Sequence, residues 1–178
     1  MSQDSELDLV KENREKAIVE KLNLIPFGPC SITPEAWKNL KLSVKAHSSH
    51  PEPKEVPFAL LGRLDGSRFT VTQAVQIATQ ETSSCHCAYS IETIKKIDRE
   101  ASRNGLMFIG FLHTHPGEKV GPSFQDRTTW LSLMFEFDRP IIYFILSPSL
   151  RLSAYSIAVE TFLQLKEAVK FIPSEVRE

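Results

Sequence analysis

The sequence predicts one α/β (mixed α+β) domain, in which a mixed sheet is flanked by helices. Apolar segments with strand character alternate with segments of helical periodicity, the order typical of helices packed on such a sheet. A length of 178 residues suits one domain, and 42% hydrophobic against 24% charged residues is ordinary globular usage. We assign residues 1–30 to a charged N-terminal arm or helix and residues 31–178 to the domain.

Charge and composition exclude several classes of partner. The 21 Lys and Arg balance 22 Asp and Glu, so the chain lacks the basic footprint of nucleic-acid or acidic-membrane binding. No apolar run approaches the ~20 residues of a membrane span, and the polar, acidic start does not resemble a secretory signal. We therefore expect a cytoplasmic protein with reduced cysteines. The arm could dock a partner or mediate a homodimer, and the sequence does not choose between these roles.

Capping residues and apolar spacing predict four helices. Thr33 and Pro34 begin the first helix, while Ser90 begins the second and Gly105 ends it. Ser123 begins the third after a loop rich in Gly and Pro. In chain order the predicted helices span 32–44, 90–105, 123–135 and 161–172.

Alternating or continuous apolar residues predict five strands, spanning 56–62, 69–76, 106–112, 141–146 and 150–157. The first two form a hairpin through a Gly-containing turn. The third is almost entirely apolar and is expected at the centre of the sheet. Pro57 predicts that the first strand lies at an edge, as does the last strand by its pattern, and residues 79–89 are expected to form a loop.

Two histidines follow the predicted central strand. His113 and His115 are two residues apart, so both imidazoles point to one face of the strand end. Asp126 lies at the start of the third helix and can complete a shell of two histidines and one carboxylate, which leaves a fourth zinc position for water. The alternative is a helix capping box between Ser123 and Asp126, and both interpretations can hold together.

This spacing resembles the signature of the JAMM (MPN+) zinc metalloproteases: His, Ser or Thr, His, Pro, six residues, Ser, two residues, Asp. Residues 113–126 match every specified position. The family also places a Glu at the start of an upstream strand that ends in Gly, and residues 55–62 resemble that element. The likeness covers about residues 32–157 and implies an MPN/cytidine-deaminase-like fold.

One element departs from the family pattern. Phe58 stands where the family has Gly three residues after the Glu, and Pro57 precedes it. Glu55 is the expected catalytic carboxylate, and Glu52 is the alternative.

The resemblance implies a mechanism and roles for five residues. One zinc ion per chain is bound by His113, His115 and Asp126, and Glu55 takes a proton from the attacking water. Ser123 hydrogen-bonds the tetrahedral oxyanion. Thr114, on the opposite strand face, is expected to pack or hydrogen-bond within the fold.

The resemblance also implies a substrate class, namely conjugates of a ubiquitin-like modifier with a Gly-Gly tail, cleaved by an isopeptidase. A hydrolase that releases an amino acid or peptide from a sulfur-carrier protein would use the same residues. A non-catalytic MPN scaffold is a further alternative. Residues 80–89 are expected to contact substrate, and Cys85 and Cys87 lack the neighbouring ligands for a second metal site.

Overall fold

The structure is a computed structural model. It describes residues 30–48, 54–66, 68–79, 81–82, 87–118, 121–139, 141–157 and 165–169. Residues 1–29 of the predicted arm, Glu52 and Cys85 lie outside the described residues, and Cys30, the last residue of that arm, begins β1. In chain order the elements are β1 (Cys30–Ile32), α1 (Pro34–Ser48), β2 (Pro57–Asp65), β3 (Arg68–Gln76), β4 (Glu81–Thr82), β5 (Cys87–Ala88), α2 (Ile91–Ser102), β6 (Met107–Thr114), α3 (Phe124–Phe137), β7 (Ile142–Leu146), β8 (Leu152–Ile157) and β9 (Leu165–Val169).

Seven of the described strands form one mixed sheet, in the order β1-β3-β2-β6-β7-β8-β9. β6 and β7 are parallel, because α3 connects them as a crossover helix, and β1 is parallel to β3. The remaining neighbours are antiparallel. The predicted mixed sheet flanked by helices is confirmed, and β6 lies in its interior as expected.

Each face of the sheet carries its own apolar core. On one face, Ile94 of α2 and Trp130 of α3 pack with Phe111 of β6. On the other face, Leu40 of α1 packs with Leu112 of β6. Because side chains alternate along a strand, Phe111 projects into one core and Leu112 into the other. The same alternation continues through the next residues of β6, which belong to the candidate site.

The predicted helix boundaries are confirmed where capping chemistry defines them. The Ser90 hydroxyl accepts a hydrogen bond from the Glu92 N–H at 3.2 Å at the start of α2. Gly105 follows the helix with a φ of +67°, a left-handed conformation that glycine adopts without steric cost. Thr33 caps α1 through a 3.4 Å hydrogen bond from the Ala36 N–H.

The edge position predicted for the Pro57 strand is wrong. β2 lies between β3 and β6 and pairs with both. Pro57 is the first residue of β2, where the missing N–H removes no hydrogen bond that the strand needs, and its carbonyl accepts the Ile77 N–H at 2.9 Å. The strand therefore tolerates proline without being an edge.

Two further predictions about the periphery are corrected. β8 is not an edge strand, because β9 covers its outer side. The helix predicted over residues 161–172 is wrong for its described part, since Leu165–Val169 forms β9 and pairs antiparallel with β8. Hydrogen bonds to a neighbouring strand override a short helical apolar pattern.

The region predicted as a loop over residues 79–89 contains a small hairpin. Glu81 pairs with Ala88 and Thr82 with Cys87, which forms a separate two-stranded sheet. The short strand β1 was not predicted from the sequence. None of the helices in the described part of the chain combines the length and the apolar character that a membrane span requires.

Candidate metal centre

The two histidines lie at the end of β6 on the face that carries α2 and α3. His113 is fully buried and pairs with Pro57 of β2 and Ile145 of β7. His115 follows the strand, and its backbone N–H donates to the Leu146 carbonyl at 3.0 Å. The two Nε2 atoms are 2.9 Å apart. Both imidazoles are therefore directed at the same point, as their two-residue spacing predicts.

Glu55 lies two residues before the start of β2, on the same side of the site as the histidines. Only 9% of it is exposed, and its carboxylate lies with the ring nitrogens of His113 and His115 in a group whose ligand atoms are all within 4.8 Å of one another. The pairing of Pro57 with His113 explains this position, because it brings the start of β2 to the end of β6. These three side chains could hold a metal ion.

Asp126 approaches His113 from the first turn of α3. Its Oδ1 lies 3.5 Å from Nε2 of His113. Its Oδ2 accepts the Ser123 N–H at 2.6 Å, and the Ser123 hydroxyl accepts the Asp126 N–H at 3.1 Å. This reciprocal pair is a capping box. The capping and site interpretations of Asp126 thus coexist, with one carboxylate oxygen serving the helix and the other facing the histidine.

The side chain of Thr114 lies on the face of β6 opposite the two imidazoles and connects β6 to the residues that precede β2. Its hydroxyl accepts the Val56 N–H at 2.9 Å, and its own N–H donates to the Val56 carbonyl at 3.0 Å. The structural role predicted for Thr114 is confirmed. Because Val56 follows Glu55, these bonds fix the backbone that carries the carboxylate relative to the histidines.

The electrostatics of the site follow from burial and from neighbouring charge. Burial, and to a smaller extent the nearby Asp126 carboxylate, together raise the pKa of Glu55 to about 7. Burial also lowers the pKa of His113, as does His115, against the opposing effect of Asp126. The site therefore combines a neutral imidazole with a carboxyl group that exchanges a proton near neutral pH.

The donor atoms of His113, His115 and the neighbouring carboxylates fit a zinc ion. Two ligands of a tetrahedral zinc ion are about 3.3 Å apart for Zn–N bonds of about 2.05 Å, close to the 2.9 Å between the two Nε2 atoms. Imidazole and carboxylate are donors that catalytic zinc sites use, and a neutral His113 is in the protonation state that binding requires. The His113 Nδ1 is buried without a hydrogen-bond partner among the described residues. The nitrogen that faces the site is Nε2, which lies 2.9 Å from the His115 Nε2 and 3.5 Å from the Asp126 Oδ1.

One neighbour of the site, Tyr143, was not identified from the sequence. The Tyr143 hydroxyl of β7 donates to Asp126 Oδ1 at 3.4 Å. Glu118, in the loop after His115, accepts hydrogen bonds from the backbone N–H and the hydroxyl of Ser149 in the β7–β8 turn, at 3.2 and 2.5 Å. A polar atom within the apolar run 141–146 was the available signal for Tyr143, and Glu118 lies in the loop between the proposed ligands, where its sequence position puts it.

The mixed sheet, the histidine pair at the end of a central strand and the adjoining capping-box aspartate define a domain of the JAB/MPN class. The sequence model described as "Prokaryotic homologs of the JAB domain" (Prok-JAB) matches residues 38–160. The chain belongs to this family, and the resemblance found in the sequence is confirmed at that level. No curated protein sequence matches the chain.

Solved structures show the same fold. The solution structure of protein DSY2949 from Desulfitobacterium hafniense matches with a TM-score of 0.56 and 20% identity, over 82% of this chain and 96% of that one. A protein from Salinibacter ruber matches with a TM-score of 0.54 and 19% identity, over 83% of this chain and 93% of that one. At these identities the likeness concerns the fold.

Proposed function

We propose that this protein is a zinc metallopeptidase that cleaves the bond following the Gly-Gly tail of a ubiquitin-like modifier. The observation that carries the proposal is the convergence of Glu55, His113 and the half-buried His115 in one group, with Asp126 against His113. Membership of the JAB family supports it, since His113 and His115 lie at the two histidine positions of the His-Thr-His-Pro signature.

His113, His115 and Asp126 are the proposed zinc ligands. When bound, a zinc ion would activate water near neutral pH and polarise a carbonyl group. Two features of the backbone support this choice of ligands. The end of β6 fixes the two imidazoles, and the capping box leaves Oδ1 of Asp126 facing His113.

Glu55 is the proposed general base and acid. A carboxyl group with a pKa of about 7 can accept a proton from the attacking water and return it to the leaving amine without a large penalty in either direction. Its carboxylate lies within 4.8 Å of a ring nitrogen of each histidine, which supports a role beside the ion that they would bind. Glu55 also lies within the group that could bind metal, so its protonation and metal binding are coupled.

Ser123 is the proposed donor to the oxyanion. Its oxygen accepts the Asp126 N–H as the helix N-cap, which occupies a lone pair and leaves its own proton free to donate elsewhere. The exposed position of Ser123 at the start of α3 supports contact with substrate. One hydroxyl can therefore cap the helix and bind a developing negative charge.

The substrate class follows from the family resemblance. An extended Gly-Gly tail can pair with a sheet edge and pass where side chains would not fit. We propose that residues 80–89 contact this tail, that the protein acts in the cytoplasm, and that the N-terminal arm docks a partner or forms a homodimer. Release of an amino acid or peptide from a sulfur-carrier protein is the alternative reaction at the same residues.

Metal analysis combined with cleavage of Gly-Gly-linked ubiquitin-like conjugates tests the proposal. We expect about one zinc per chain in the wild type and in Glu55→Gln, with turnover only in the wild type. Glu52→Gln is the comparison variant, because full turnover in Glu55→Gln with loss in Glu52→Gln would move the base to Glu52. A carefully prepared wild type that neither binds zinc nor cleaves would favour the scaffold function.

A further inference from the structure

Tyr143 is held rigidly in the core beneath the candidate site. Its ring stacks on Phe111 at 5.3 Å with an interplanar angle of 30°, and lies 5.1 Å from the Trp130 ring. The edge of His113 meets it at 5.5 Å and 64°. Tyr143 is 1% exposed, so these contacts leave the ring little freedom and determine where its hydroxyl points.

The hydroxyl points at the carboxylate of Asp126. It donates to Oδ1 at 3.4 Å, while the Ser123 N–H donates to Oδ2 at 2.6 Å. Each carboxylate oxygen therefore has its own donor. The oxygen that accepts the phenol is also the one that lies 3.5 Å from Nε2 of His113.

A carboxylate oxygen has two lone pairs, so Oδ1 can accept the phenol with one and bind a metal ion with the other. Hydrogen bonds from outside the ligand set commonly fix the orientation of such ligands. We propose that Tyr143 is a positioning residue, which aims Asp126 Oδ1 at the zinc position and supports the ring of His113 from below. This inference rests on the proposed function, because it assigns a role toward the proposed metal.

The role belongs to the hydroxyl and is separable from packing. The other residues of β7 are apolar, and a phenylalanine would fill the same space against Phe111 and Trp130. The neighbouring Trp130 directs its own N–H at the Ile141 carbonyl, 2.8 Å away, and so does not replace the phenol at Asp126. Removing one oxygen atom from Tyr143 therefore removes the contact and keeps the core.

The test compares metal binding by the wild type and Tyr143→Phe. Zinc affinity is measured by competition with a chelator, and the visible absorption bands of the cobalt-substituted protein report the ligand geometry. We expect Tyr143→Phe to bind zinc about tenfold more weakly and to shift the cobalt bands, with cooperative unfolding retained. Thr72→Val is the control, because it also removes a side-chain hydroxyl, one that donates to the Leu61 carbonyl at 3.3 Å and has no part in the candidate site.

Wild-type affinity and an unchanged cobalt spectrum in Tyr143→Phe would overturn the proposal, as would equal effects in Thr72→Val. If Tyr143→Phe does not fold, 3-fluorotyrosine at position 143 keeps the ring and strengthens the donor, and an unchanged cobalt spectrum there would overturn it equally. A wild type that binds neither metal would overturn the proposed function and this role together. Binding by the wild type with no difference in the variants would overturn this role alone.

Discussion

The Thr114 hydroxyl accepts a 2.9 Å hydrogen bond from the backbone N–H of Val56, 58 residues away in the chain. Thr114 lies between the two histidines, and Val56 lies beside the proposed base Glu55. This buried hydrogen bond therefore connects the strand that carries the histidines to the backbone that carries Glu55, on the face of the sheet opposite the candidate site.

Thr114→Val is expected to destabilise the protein by about 1–3 kcal/mol, because the similar shape leaves the buried Val56 N–H without its acceptor. The midpoint temperature of thermal unfolding should fall by a few degrees for each kcal/mol of lost stability in a chain of this size. Thr114→Ser keeps the hydroxyl and is the matched control. Equal stability of the Val and Ser variants would show that the hydrogen bond contributes little.

Glu55→Gln is expected to stabilise the metal-free protein increasingly as pH rises. Folding raises the pKa of Glu55 from 4.5 to about 7, so the native chain holds an extra proton between these values. The associated stability is present below about pH 4.5 and is lost as pH rises through 7, whereas glutamine does not titrate. The melting temperature of the variant minus that of the wild type should therefore be larger at pH 8 than at pH 5, in chelator.

The exposed Glu100, at the end of α2, provides the matched control as Glu100→Gln. A pH-independent difference for Glu55→Gln, or an equal trend for the control, would contradict the raised pKa. His113 is present in both proteins that are compared, so its own titration cancels to first order.

Substitutions of Ser123 and Asp126 are expected to have different effects on stability and zinc binding, although the two residues share one capping box. Ser123→Ala should lower stability by about 1 kcal/mol through loss of the N-cap while zinc content remains near one per chain. Asp126→Asn should lose most zinc affinity with the helix retained. Zinc analysis and thermal unfolding of both variants provide the comparison, and equal zinc content would show that Asp126 serves only as a cap.

Glu118→Ala is expected to loosen the β7–β8 turn. The carboxylate accepts the Ser149 N–H and hydroxyl, and the hydroxyl in turn lowers the pKa of Glu118. Loss of these bonds should accelerate amide hydrogen exchange at Ser149 severalfold. Glu118→Gln retains an acceptor oxygen, so its exchange rate at Ser149 should lie between those of the wild type and Glu118→Ala. Unchanged exchange in Glu118→Ala would show that water replaces the contact without effect.

Local sequence chemistry predicted those parts of the site that depend on local geometry. The two-residue spacing of His113 and His115 fixes their common face, and the three-residue spacing of Ser123 and Asp126 fixes the capping box. The mixed sheet followed from the order of apolar segments. The positions of Glu55, Ser123 and Asp126 as catalytic or ligating residues stay predictions until metal and activity are measured.

The sequence failed where distant partners decide the outcome. Pro57 indicated an edge, but its place at the first residue of β2 makes an interior strand possible. Leu165–Val169 forms a strand because β8 supplies backbone partners, which no local pattern reveals. Tyr143 was missed because its contact with Asp126 joins the middle of an apolar strand to the start of a helix.

Zinc K-edge X-ray absorption of the purified wild type tests the metal centre most directly. The ligand set of His113, His115 and Asp126 predicts one ion per chain with nitrogen and oxygen ligands at about 2.0–2.2 Å, a clear imidazole signal and no sulfur. Sulfur scattering at about 2.3 Å would place the metal on cysteines such as Cys85 and Cys87, and absence of bound zinc would leave the histidine site without an ion. Either result would contradict the proposed centre.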